Sequence, residues 1–124
     1  TIGAPADPGH VRHLFDHARF DDGSEAAEIT IGGRPFQLGK GFVDDLERHD
    51  LTDDIARLGR ALLVFHAPLD NVVSIDHAQR IFTAAKHPKS YVSLDRADHL
   101  VSDPADARFL GDVLAAWAGH RLGG

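Results

Sequence analysis

Two apolar runs near the end of the chain, Ala61-Leu-Leu-Val-Phe65 and Ser90-Tyr-Val-Ser-Leu94, constrain the fold more than any other feature. The first is apolar at every position, as a strand covered on both faces must be. Between the runs, Ile75, Ala78, Ile81, Phe82 and Ala85 recur at helical period in a segment from Ile75 to Lys86, and Pro88 bars its continuation. A strand, a helix and a second strand of these lengths fold as a right-handed βαβ unit with parallel, neighbouring strands. A last helix follows. Ser102-Asp103-Pro104 gives it a polar cap and a first-turn proline, Phe109, Leu110, Val113, Leu114 and Trp117 give it one apolar face, and Gly119 is its expected stop.

In open parallel sheets, sites form at the carboxyl ends of strands. The segment HAPLDNVV sets Asp70 just past the first strand, and LDRADHL sets His99 just past the second. An acid followed by a histidine in these positions is two thirds of a Ser-His-Asp triad in the chain order Ser, Asp, His. Such a histidine takes the serine proton and returns it to the leaving group, while the acid holds the imidazole tautomer. The serine is not among these residues: Ser24, Ser74, Ser90, Ser93 and Ser102 are the five present, and none sits in a G-x-S-x-G elbow. Asp98 competes with Asp70 for His99, but neighbours on a tight loop rarely face one another, so Asp70 is the expected partner. The plainer alternatives are a strand-end turn for Asp70-Asn71 and a solvated loop position for His99. Asp76, Asp95 and Asn71 read as solvated groups or local caps.

Residues 6–60 are of another kind. Asp7-Pro8-Gly9 opens a helix through about Arg19, with Val11, Leu14, Phe15 and Ala18 on its apolar side. Ala27 to Leu38 alternates about Ile31-Gly32-Gly33-Arg34, a hairpin signal because paired glycines supply positive φ. Phe42, Val43 and Leu46 mark a short helix, and Leu51-Thr52-Asp53-Asp54 begins another. Helices and a hairpin inserted between strands of a parallel sheet read as a cap over a site. Phe36, Phe42, Phe65, Phe82 and Trp117 are expected in the core. His10, His13 and His17 fall at i, i+3 and i+7, but the one carboxylate near matching spacing, Asp16, points in a different direction and three turns of helix rarely close round one ion, so no metal or cofactor is expected. His13 is a candidate cleft residue, and His66 lies at a strand end close to the site.

The balance of charge narrows the partners. A net charge of −6, with no basic stripe or basic amphipathic helix, argues against nucleic acid and anionic membrane. No apolar run approaches the roughly 20 residues of a membrane span. The absence of cysteine excludes disulfides and thiol chemistry and fits a cytoplasmic setting. The chain opens at Thr1-Ile2-Gly3-Ala4-Pro5, without an initiator methionine and on what reads as a strand end, so it is expected to be a piece of a longer polypeptide.

TIGAPADPGHVRHLF, IGGRPFQL, LLVFHAPLDNVVSIDHAQRIFTAAKHPKSYVSL and ADHL together resemble the second half of an α/β-hydrolase, of the bacterial kind fused to an OsmC-like domain. The resemblance covers residues 1–119 and is most specific around Asp70, His99 and the hairpin. It implies an α/β fold in which 1–5 end a strand, 6–60 form a lid, and 61–124 supply the final βαβα of the sheet. It implies a serine hydrolase acting on ester-like acyl substrates, with Asp70 as triad acid, His99 as triad base and the elbow serine on a preceding segment. On this reading the chain alone is inactive. The unpaired edge at residues 1–4 would then lead it to form a homo-oligomer or to pair with the missing N-terminal half. The alternative from another class is a non-catalytic interaction module that keeps half of the fold.

Overall fold

A computed structural model of the chain describes residues 1–10, 26–31, 34–48 and 51–123. In chain order the elements are β1 (Ala26–Ile31), β2 (Arg34–Gly39), α1 (Lys40–Arg48), α2 (Thr52–Ala56), β3 (Leu62–His66), α3 (Ile75–Ala84), β4 (Lys89–Ser93) and α4 (Pro104–Leu122). The architecture is mixed α/β, with a parallel pair and an antiparallel pair of strands. The chain divides into one unit of Thr1–Ala6 and Thr52–Gly124 and a second unit of Asp7–Leu51.

The expected βαβ unit is the centre of the first. β3 and β4 pair in parallel from Leu62↔Lys89 to His66↔Ser93, with α3 as the crossover. Each strand lies one residue from its sequence-based span. On the other edge of β3, the Phe65 N–H donates to the Thr1 carbonyl (2.9 Å) and the Gly3 N–H donates to the Phe65 carbonyl (3.0 Å). β3 is therefore flanked on both edges, which is why so short an apolar strand can be buried from Leu63 to His66.

Alternation along β3 splits the core in two. Leu63 and Phe65 face one side with Ala67, Leu94 and Ala97, and Leu110, Val113 and Trp117 of α4 cover them. Val64 faces the other side with Ala6, Ala78 and Ile81, and Ile55 of α2 packs there. Full burial of side chains of this size stabilises by about 1.5–3 kcal/mol each.

Local signals set the helix ends. The Ser74 hydroxyl accepts the Asp76 N–H at 3.3 Å to start α3. The helix stops at Ala84, short of the expected Lys86, and the Lys89 ammonium donates to the carbonyls of Phe82 (2.6 Å) and Ala85 (2.8 Å). A cation thus satisfies carbonyls that the helix end leaves open. α4 begins as expected, with Asp103 accepting the Ala105 N–H at 2.8 Å ahead of Pro104. Its end corrects the sequence reading: the helix runs through Gly119 to Leu122, and Gly123, at φ 79°, makes the left-handed cap. A glycine inside a helix weakens it by about 1 kcal/mol but does not end it. The apolar face is also narrower than expected. Leu110, Val113 and Trp117 pack inward at i, i+3 and i+7, whereas Phe109 and Leu114 are 50% and 43% exposed. The Trp117 indole N–H donates to the Ser90 hydroxyl at 2.9 Å, tying α4 to β4.

In the second unit β1 and β2 form the expected hairpin, in register from Ala26↔Gly39 to Ile31↔Arg34. Gly32 and Gly33, expected as its turn, lie outside the described residues. Ala27, Ile29 and Leu38 are buried on one face, but Phe36, paired with Ile29 nearer the turn, is 49% exposed, as is Phe42 of α1. Neither aromatic is a core residue: Phe36, although opposite the buried Ile29, and Phe42 on α1 each keep about half of their surface exposed. Residues 8–10 form a single tight turn, and the helix expected beyond them, with Leu14, Phe15 and Ala18, lies outside the described residues. Among the described residues no helix is long and apolar enough to cross a membrane.

Candidate active site

Past the end of β3 the chain turns at Ala67-Pro68-Leu69, closed by the Asp70 N–H on the Ala67 carbonyl at 3.0 Å. The Asp70 side chain is only 1% exposed. Its Oδ1 accepts the N–H groups of Val72 and Val73, each at 2.8 Å. This is the local side-chain-to-backbone bonding for which Asp is suited in turns. With Oδ1 committed to the backbone, Oδ2 is aimed away from the turn, and it meets the Nδ1 of His99 at 2.7 Å.

His99 arrives from β4. The Leu94 N–H donates to the His66 carbonyl at 2.8 Å, carrying the ladder one step past the strand. The Ala97 N–H then closes on the Leu94 carbonyl (3.1 Å) and the Val101 N–H on the Asp98 carbonyl (3.1 Å). Val101 sits at φ 51°, a left-handed conformation that costs a β-branched residue about 1–2 kcal/mol. Strain of this kind gathers where a loop must present a side chain in one direction. Asp98, the competing carboxylate, accepts the Ser102 N–H at 2.8 Å and is spent on its own loop. Asp95 accepts from the Ser93 hydroxyl. The structure thus brings Asp70, not Asp98, to His99.

Burial acts most strongly on the Asp70 carboxyl and pushes its pKa up. The Val73 amide, the His99 bond and the Val72 amide outweigh it together and leave the group below the ordinary Asp value. Asp70 is therefore an ionised acceptor at neutral pH. Facing it, the His99 Nδ1 carries the hydrogen and Nε2 is the acceptor nitrogen of the ring. A 28% exposed imidazole in this tautomer is arranged to take a proton at Nε2 and to be stabilised as imidazolium by Asp70.

Two contributors escape a reading of side chains alone. The amides of Val72 and Val73 orient the carboxylate, and Gly3, at φ 53°, brings bare backbone against the pair. A Cβ there would lie 3.5 Å from His99 Nδ1 and 3.6 Å from Asp70 Oδ2. The lone glycine at the end of the apolar Thr1-Ile2 stretch was the signal for it. His66 is fully buried, with Nε2 at 2.8 Å from the Val73 carbonyl and 3.7 Å from Asp70 Oδ2. His13 and His17 lie outside the described residues, and His10 lies in the short turn at residues 8–10. Among the described residues no group of three or more His, Asp or Glu is placed to hold a metal ion.

A parallel strand pair carrying a buried Asp bonded to a part-exposed His at adjacent strand ends defines a class of acid–base site, and comparison with known proteins narrows it. The chain is similar to the crystal structure of the esterase domain of a Rhodothermus marinus protein, at 52% identity and a TM-score of 0.71. The match covers 95% of this chain and 49% of that one, so the chain spans about half the length of the esterase domain it matches. No family model matches the sequence, and no curated protein does.

Proposed function

We propose that this chain is the lid and acid–histidine part of a serine hydrolase of the α/β-hydrolase kind, acting on ester-like acyl substrates. The observation that carries the reading is the 2.7 Å bond between His99 Nδ1 and Asp70 Oδ2, made between the ends of neighbouring parallel strands. The similarity to an esterase domain supports the same chemistry. In this reading residues 6–60 are the lid, and residues 61–124 close the sheet. The nucleophilic serine and most of the oxyanion hole come from a segment outside these 124 residues. His99 Nε2 removes the serine proton as the acyl carbonyl is attacked, then delivers it to the leaving alkoxide. Asp70 remains ionised throughout and holds Nδ1–H in place. The alkoxide takes up this proton as the C–O bond breaks and departs as a neutral alcohol, which is the work a general acid does.

The test is covalent labelling of the full-length polypeptide with a fluorophosphonate, which captures activated serines. The reading predicts one modified serine, outside residues 1–124, and labelling that slows by orders of magnitude in His99→Ala. Absence of labelling, or labelling that His99→Ala leaves unchanged, would contradict it.

A further inference from the structure

One residue bonds to both loops of the pair. At the end of β3, the His66 carbonyl accepts the Leu94 N–H at 2.8 Å, and Leu94 opens the loop that carries His99. The His66 side chain turns the other way, and its Nε2 lies 2.8 Å from the Val73 carbonyl. A carbonyl only accepts, so Nε2 carries the hydrogen and donates it. Val73 is thereby held through both of its main-chain polar groups, with its N–H on Asp70 Oδ1 at 2.8 Å and its oxygen on His66. Asp70 is oriented by a turn that is itself clamped.

Imidazole is a poor space filler at this position. The His66 side chain is 0% exposed and, among the described residues, its buried Nδ1 has no hydrogen-bond partner. A leucine of similar volume would not bury an unpaired polar atom. The Nε2–H bond to Val73 is what offsets that penalty. Its placement also keeps Asp70 Oδ2 for His99, since Nε2 stands 3.7 Å from that oxygen, beyond hydrogen-bond reach, against 2.7 Å for His99 Nδ1.

We propose that His66 is the positioning residue of the site: its side chain clamps the turn that aims Asp70, and its main chain anchors the loop that presents His99. The inference rests on the reading of Asp70 and His99 as the acid and base of a hydrolase, and it adds the residue that sets their geometry. The side chain of His66 bonds to Val73, so it acts on the pair through the turn that aims Asp70. Misplacement of a catalytic group by about 1 Å can lower a rate about 100-fold.

Three variants of the full-length polypeptide separate clamping from packing. In His66→Gln the amide nitrogen reaches about as far as Nε2 and can still donate to Val73. His66→Leu fills the space without a donor, and His66→Asn has a donor too short to reach. The proposal predicts that Leu and Asn lower kcat on a p-nitrophenyl ester by about 10- to 100-fold with little change in KM, and that Gln restores most of it. It also predicts that the Asp70 13Cγ titration moves upward in the Leu and Asn variants and returns in Gln. That readout needs no ester turnover, so it decides the role of His66 even if the hydrolase reading fails. If His66→Leu does not fold, the wild-type ring decides: 15N spectra must show His66 protonated at Nε2 in slow exchange. Protonation at Nδ1, a Gln variant as impaired as Leu, or a Leu variant with unchanged kcat and Asp70 titration would each overturn the proposal.

Discussion

A Cβ on Gly3 would stand 3.5 Å from the Nδ1 of His99, across about three quarters of the length of the chain. The Gly3 backbone, at φ 53°, is pinned to β3 through its N–H on Phe65. This bare backbone thus forms one wall of the pair.

Replacement of Gly3 tests that wall in two grades. Gly3→Ala meets only ordinary van der Waals contact, so its effect is chiefly the left-handed φ, about 1–2 kcal/mol of stability. Gly3→Val adds branches that must displace the His99 ring. Urea unfolding should show a moderate loss in both, while ester hydrolysis should fall sharply only in the valine variant. Equal activity in the two would mean that the ring does not rest on this backbone.

The Asp70 carboxyl gives a prediction with a definite sign. Its pKa in the folded state lies below the ordinary value, through the amides of Val73 and Val72 and the bond to His99, against burial. It therefore adds stability at pH above the unfolded value of about 3.9, and that stability is lost as pH falls through the lower folded value. Asp70→Asn lacks the component. The gap in urea midpoint between wild type and Asp70→Asn should be wide at pH 7 and narrow below about pH 4. A gap that stays constant from pH 7 to 3 would contradict the assignment.

Trp117 is the only tryptophan of the chain, and it both packs on the core beside β3 and donates to Ser90 at 2.9 Å. Its fluorescence should therefore report the docking of α4. Trp117→Phe keeps most of the packing and drops one hydrogen bond, for about 1 kcal/mol. Trp117→Ala should lose about 3 kcal/mol. Because α4 covers the cluster that includes Leu94 and Ala97, the alanine variant should also loosen the His99 loop, seen as faster amide exchange at residues 95–102.

The elements around this site were legible because their signals are local. The apolar runs at 61–65 and 90–94, the period from Ile75 and the Asp103-Pro104 start each depend on a few neighbouring residues, and the folded elements depart from them by at most two positions. The Gly119 stop failed because a helix ends where a left-handed residue and the loss of packing coincide, and Gly123 meets both conditions. Phe36 and Phe42 were misread because aromatic character says nothing about whether a neighbouring layer covers the face. At the site, Asp70 and His99 could be found from strand-end positions and chain order. The Val72 and Val73 amides and the His66 clamp could not, since backbone groups have no identity in a sequence and a hydrogen bond across a turn depends on its folded path.

His99, held by Asp70, is proposed as the general base of an ester hydrolase. The most direct measurement is kcat/KM for a p-nitrophenyl ester, on the full-length polypeptide and on Asp70→Asn. The Asn side chain can still accept from Val72 and Val73, but it turns an N–H donor toward His99 and forces the wrong tautomer. The account predicts a fall of about four orders of magnitude with the fold intact by circular dichroism. A variant that keeps wild-type kcat/KM would contradict it.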